Sequence, residues 1–366
     1  MARTTDDSVH MRRALRLAER GRGRTAPNPM VGAVVVRDGR VVAEGWHKAL
    51  GEPHAEIMAL ERAGALAKGA TLYCTLEPCA HFGRTPPCAD AVIAAGVKRC
   101  VVAIRDPNRV VDGQGMQKMR AAGVRIELGL HEEEARAQLR SYLLVHTRHR
   151  PSVTWKVAAT LDGRIADAKG GSRWITSAAA RQRGHQMRAA CDAVMIGAGT
   201  ARIDDPRLTV RLAPAAARQP LRVVCDSQLS LPSSLRLFSR SLARGTVVAC
   251  AKDAPARRVA SLESRGVRVW KLPSVMGRVS PRALARRLAL HGVLDVLLEG
   301  GAMLGAAWLR ASLVDRIALF TAPRVLGAGL SWCAPIGATL ANARKGRVVS
   351  VERVGGDTLT WVEWED

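Results

Sequence analysis

The chain has 366 residues, 48% of them hydrophobic and 24% charged, which is more material than one ordinary core accommodates and argues against a disordered or fibrous protein. No stretch reads as a membrane span or a signal peptide. The formal charge of +24 is spread along the chain, 24 Lys and Arg against 16 Asp and Glu in residues 1–150 and 32 against 16 in the rest, while aromatics make up only 4%; this reads as solvated arginine ahead of attraction to polyanions such as nucleic acid or steering of phosphorylated substrates, since no basic run is interleaved with stacking residues.

In chain order, Val9, Met11, Leu15 and Leu17 recur at helical spacing between Ser8 and Arg20. Val31 to Val36 and Val41 to Trp46 flank the turn Arg37-Asp38-Gly39-Arg40 and predict a hairpin. A helix follows from Pro53 to Ala67, a strand from Thr71 to Leu76, a helix from Ala89 to Ala95 and a strand from Arg99 to Ile104. Met116 to Ala122, Val124 to Leu128 and Glu132 to His146 predict helix, strand and helix. This is a mixed sheet with helices on both faces. The basic stretch Thr147 to Pro151 reads as a linker, so the expected domains are residues 1–147 and 148–366.

The second half opens another α/β pattern. Strands are expected at Val153 to Ala158, Ala193 to Ile196, Leu221 to Cys225, Thr246 to Cys250, Val267 to Leu272, Val293 to Leu298, Arg316 to Ala322 and Leu359 to Glu363. Helices are expected at Ser177 to Ala190 and Ser280 to Leu290, the latter with a serine cap before a first-turn proline. Residues 213–217 are an alanine-rich loop without clear meaning. The eight cysteines, several in apolar runs, read as reduced thiols and point to the cytoplasm.

The strongest chemical signal is His54-Ala55-Glu56 with Pro78-Cys79 and Cys88 downstream. One imidazole and two thiolates supply three zinc ligands and leave the fourth position open for water. The metal makes hydroxide available near neutrality, and a carboxylate that is not a ligand must move the protons. Glu56 is that candidate, and His54, Cys79 and Cys88 are the metal ligands. The His-x-Glu and Pro-Cys pattern is that of zinc deaminases, except that eight residues separate the cysteines. His81 is a rival ligand, favoured as a substrate-loop residue.

Pro27-Asn28-Pro29-Met30-Val31-Gly32, Gly51 to Glu56, Thr75 to His81 and Gly83-Arg84-Thr85-Pro86-Pro87-Cys88 resemble the deaminase half of the bifunctional riboflavin-biosynthesis deaminase/reductases, where the long gap between cysteines belongs. The resemblance implies a cytidine-deaminase-like three-layer sandwich in which Asn28 contacts the pyrimidine; a turn residue is the alternative. Lys156 to Ala166, Gly171 to Ser177, Gly197 to Thr200, Asp204 to Thr209, Asp226-Ser227 and Glu299 to Ala302 are similar to the same family's reductase half. That implies an α/β domain like dihydrofolate reductase. Independently, two glycines between the strand ending at Leu298 and a helix suit a backbone that approaches a phosphate.

The resemblance further implies that Ala158, Trp174, Thr200, Asp204, Ser227, Gly301, Ala302, Met303, Leu304, Gly305, Ala306 and Ala307 contact NADPH. For the substrate it implies Ser172, Arg188, Leu208, Arg211 and Glu299. Trp174 as core, Arg188 as a solvated helix face and Ser227 as a turn remain the plainer readings. Asp162 and Glu299 are both candidates for the reductase's proton donor. The likeness spans about residues 10–330 and departs at two places: Asp106-Pro107-Asn108-Arg109 replaces Asp-Pro-Asn-Pro, and Leu139-Arg140-Ser141-Tyr142 stands where the linking helix usually has Asn-x-x-Phe. The expected ligands are Zn2+, NADPH and a small phosphorylated pyrimidine, with no membrane or nucleic-acid partner and with self-association into a homo-oligomer. A nucleic-acid base deaminase carrying an accessory binding domain is the rival, and a binding protein with degenerate sites is another.

Overall fold

The computed structural model describes residues 5–82, 86–212 and 218–364. Gly83, Arg84 and Thr85 of the cysteine loop and the alanine-rich stretch 213–217 lie outside the described residues. The chain divides into two compact units, Met1–His149 and Arg150–Asp366.

The first unit runs α1 (Thr5–Ala18), β1 (Gly32–Arg37), β2 (Arg40–Trp46), α2 (Ala55–Ala63), β3 (Thr71–Leu76), α3 (Cys88–Ala94), β4 (Arg99–Ile104), α4 (Gln114–Ala121), β5 (Arg125–Leu128), α5 (Glu132–Gln138) and α6 (Arg140–Arg148). Its sheet order is β2-β1-β3-β4-β5. The β1–β2 and β1–β3 pairs are antiparallel, and β3–β4 and β4–β5 are parallel. Met11, Ala14, Leu15 and Ala18 form the buried stripe of α1, whereas Val9, expected on that stripe, is 55% exposed.

Two glycines show why helices cover both faces. A Cβ on Gly32 would lie 2.0 Å from the Ala14 carbonyl of α1, and one on Gly45 would lie 2.1 Å from the Ala55 carbonyl of α2. Gly45 pairs with Ala33, the neighbour of Gly32. Successive strand residues point to opposite faces, so α1 and α2 take opposite sides of the hairpin.

The helix expected from Glu132 to His146 is broken at Leu139 into α5 and α6. Nor is Thr147 to Pro151 a loose linker. Helix α6 continues to Arg148, and Arg150 is buried in a two-pronged pair with Asp315 at 2.7 and 2.8 Å. Asp315 also accepts the Val153 amide at 2.8 Å.

The second unit contains β6 (Ser152–Thr160), β7 (Arg164–Ala166), α7 (Ala178–Ala190), β8 (Ala193–Gly197), α8 (Ala198–Asp204), β9 (Leu221–Cys225), β10 (Thr246–Ala251), α9 (Ala256–Glu263), β11 (Arg268–Leu272), β12 (Ser274–Val275), β13 (Arg278–Val279), α10 (Pro281–Leu290), β14 (Asp295–Leu298), α11 (Ala302–Arg310), β15 (Arg316–Ala322), β16 (Leu330–Ser331), β17 (Gly346–Val354) and β18 (Asp357–Trp364). The main sheet runs β11-β10-β9-β8-β14-β6-β15-β18-β17. It is parallel from β11 to β15, and β18 and β17 close it antiparallel. The carboxyl ends of β9, β8, β14 and β6 therefore share one edge, where ligands bind in open parallel sheets. No helix of the described residues is long and apolar enough to cross a membrane.

Two candidate active sites

In the first unit, His54 is the N-cap residue of α2, and Glu56 sits in that helix's first turn. Cys79 follows β3, and Cys88 opens α3. The ligand atoms of His54, Cys79 and Cys88 all lie within 4.8 Å of one another. His54 Nδ1 is 3.2 Å from Cys88 Sγ and 3.7 Å from Cys79 Sγ. Tetrahedral zinc, with Zn–S near 2.3 Å and Zn–N near 2.0 Å, requires neighbouring ligand atoms about 3.5 Å apart, so this donor set fits the metal. His81 is absent from the cluster, and its Nδ1 is buried without a partner.

The electrostatics suit the chemistry. Burial raises Glu56 to about 7, so its carboxyl can both take and give a proton near neutral pH. A hydrogen bond from Cys88 holds the Cys79 thiol down at about 4. The Cys88 amide also donates to Cys79 Sγ at 3.4 Å.

Asn28 lies at this site, its Nδ2 3.2 Å from His47 Nε2. His47 was not singled out in the sequence. It is buried, places its Nδ1 3.1 Å from the Pro53 carbonyl oxygen, and stands edge-on to His54 with ring centroids 5.4 Å apart. Its only signal was position, directly after the apolar strand β2.

In the second unit a cleft of about 1410 Å³ opens at the shared strand edge. Ala158, Trp174, Thr200, Asp204 and Ser227 line it, as do Gly301 to Leu304 and Ala307. Ser172, Arg188, Leu208, Arg211 and Glu299 line it too. Gly305 and Ala306 do not. They occupy the core face of α11, where a Cβ on Gly305 would fall 1.9 Å from the Trp155 ring and Ala306 is fully buried. Trp174 is 64% exposed, with the Arg181 guanidinium 4.5 Å from its ring centroid, so it is not core. Arg188 is no solvated face either, since it grips Glu299 through Nε at 2.6 Å and Nη2 at 2.7 Å.

That grip decides the protonation of Glu299. Burial alone would raise it, but Arg188 and Lys156 hold it below the ordinary carboxylate range. Asp162 is no proton donor for the cleft. It accepts the Thr160 hydroxyl and the Leu326 and Gly327 amides, is held at about 2, and lies outside the cleft lining. Lys156 does line the cleft, and burial lowers its ammonium. Among the described residues its Nζ has no hydrogen bond or ion pair; the Phe320 ring lies 5.6 Å away, and the Glu299 charge acts on it from a distance. A lone lysine inside the apolar strand β6 was the signal for it.

The cleft fits a dinucleotide. The bare N-terminus of α11 follows Gly300 and Gly301 with no side-chain cap, and the Gly301 amide meets the Thr200 hydroxyl at 3.2 Å.

A family model described as RibD C-terminal domain matches residues 151–360. This chain belongs to the RibD family. The cytidine and deoxycytidylate deaminase zinc-binding region matches residues 4–104. A riboflavin biosynthesis protein RibD from Aquifex aeolicus is 41% identical across 96% of this chain and 97% of its own length, and that of Escherichia coli is 39% identical over 96% and 97%. The Acinetobacter baumannii RibD structure superposes with a TM-score of 0.91 at 36% identity, covering 99% of each chain. A Thermotoga maritima deaminase/reductase gives 0.86 at 36%, covering 98% of each. Likeness therefore extends past residue 330, where the motifs gave out. The chain is a RibD deaminase/reductase of riboflavin biosynthesis, with a zinc-binding deaminase domain and an NADPH-dependent reductase domain, and the second half is no accessory nucleic-acid module.

Proposed function

We propose that this RibD chain removes the amino group from the ring of 2,5-diamino-6-ribosylamino-4(3H)-pyrimidinone 5′-phosphate by hydrolysis, then reduces the ribosyl side chain to ribityl. The observation that carries the first step is the convergence of His54, Cys79 and Cys88 beside the buried Glu56. Those three residues would hold zinc, which when bound supplies the Lewis acid that makes hydroxide available near neutral pH. Glu56 takes the proton of the attacking water and returns it to the departing ammonia, while oxygen replaces nitrogen on the ring carbon. Asn28 and His47 orient the pyrimidine.

In the reductase cleft NADPH, when bound, supplies hydride to the first carbon of the ribosyl chain. Arg188 fixes Glu299 as a carboxylate facing the substrate, and Lys156 Nζ is placed to give the proton. Arg207 and Arg211 line the same cleft and suit the substrate's phosphate.

Glu56→Gln tests the first assignment. Zinc content should stay at the wild-type level while deamination falls by about 10²–10⁴. Near-normal turnover in that variant would mean that another group moves the protons.

A further inference from the structure

Seven arginines line the reductase cleft, and most are already committed to partners. Arg188 holds Glu299, and Arg236 pairs with Asp205 at 3.3 Å. Arg173 donates to the Asp204 carbonyl, and Arg181 lies against Trp174. Among the described residues, the side chains of Arg207, Arg211 and Arg278 make no hydrogen bond or ion pair. Arg211 lies close enough to both Arg188 and Arg207 to interact with them. Arg207 and Arg211 form one cationic centre near the Arg188–Glu299 pair. Arg278 stands apart from it, on the short hairpin of β12 and β13.

That hairpin is tied to the end of β9. The Val279 amide, next to Arg278, donates to Ser227 Oγ at 2.9 Å, and Gln228 Nε2 donates to the Gly277 carbonyl at 3.4 Å. The sheet order at the cleft is β14, β8, β9, β10. From Gly301 after β14 to Ser227 after β9 is thus two strand spacings, about 10 Å. A dinucleotide held with its pyrophosphate at the N-terminus of α11 and its nicotinamide toward Glu299 would extend its adenosine the other way, toward Ser227 and the hairpin.

We infer that Arg278, seated beside Ser227 and Gln228, receives the 2′-phosphate on the adenosine ribose of NADPH and so sets this chain's preference for NADPH over NADH. The inference rests on the NADPH reading of the cleft. The 2′-phosphate is the only chemical difference between the two cofactors, and guanidinium binds phosphate through two parallel hydrogen bonds. A basic residue at a tip built from the exposed Met276 and Gly277 can close on that group without disturbing the nicotinamide end.

The test is direct binding to the full-length protein, by calorimetric titration of NADPH, NADH and adenosine 2′,5′-bisphosphate against wild type, Arg278→Ala and Arg278→Lys. Arg278→Ala should weaken NADPH and the bisphosphate by about 10- to 100-fold and leave NADH unchanged. Arg278→Lys should recover part of the loss. Parallel weakening of NADPH and NADH, or an undiminished NADPH preference in Arg278→Ala, overturns the assignment while the cofactor reading stands. Failure of the wild-type protein itself to bind NADPH overturns both.

Discussion

Glu56 shows how burial gives one side chain two roles. With its carboxyl raised from 4.5 to about 7, the folded protein binds that proton more tightly than the unfolded chain does. In the metal-free protein, the contribution of Glu56 to stability should therefore fall as pH rises from about 4.5 to about 7, because in the unfolded chain this carboxyl ionises first, while Cys79, held at about 4, contributes with the opposite sign. Asp106, raised by burial to about 6, contributes a fall of the same sign that ends near that pH. Between about 6 and 7 Glu56 still contributes such a fall while Asp106 no longer does, and the difference between wild type and Glu56→Gln isolates it. Denaturant melts of the metal-free chain should show that contribution vanish in Glu56→Gln, and an unchanged slope there would contradict the burial argument. Asp106 also accounts for a departure from the family. The Tyr142 hydroxyl donates to its carboxylate at 3.0 Å. A hydroxyl at the family's Phe position thus partners that buried acid inside the first unit.

Among the elements, α11 divides its residues between two tasks: Ala302 to Leu304 and Ala307 line the cleft, while Gly305 and Ala306 face Trp155. Gly305→Ala should overpack that contact and destabilise the second unit by about 1–3 kcal/mol, with zinc content unchanged. A stability equal to wild type would mean that the Trp155 ring moves freely aside. The same division explains what the sequence could tell. The hairpin β1–β2, strands β3 and β4, and the capped α10 were legible because turn residues, apolar runs and Ser280-Pro281 are local signals. The grouping of His54, Cys79 and Cys88 was legible because these residue types are rare and spaced. His47, Lys156 and the core face of α11 were not, since each depends on which neighbour the fold brings opposite. Strand β17 was missed for another reason. At the sheet edge most of its residues are exposed, so no alternation of apolar and polar positions marks it.

For the whole molecule, the boundary between units has a chemical marker. Arg150, read from the sequence as part of a basic linker, pairs with Asp315 inside the second unit. Residues 150–366 expressed alone should fold and bind NADPH. A fragment starting at 151 lacks the arginine, leaves Asp315 uncompensated, and should lose about 3–5 kcal/mol relative to the longer one. Equal stability of the two fragments would show that the pair is dispensable. On the proposed function, two reactions occur on one chain in a fixed order. Product masses decide it most directly, with the diaminopyrimidine phosphate supplied to the zinc-loaded protein with and without NADPH. Without NADPH the product should have one NH replaced by oxygen, and with NADPH that product should gain two further hydrogens. Reduction of the substrate with its amino group still in place, or no deaminated product in either arm, would contradict the account.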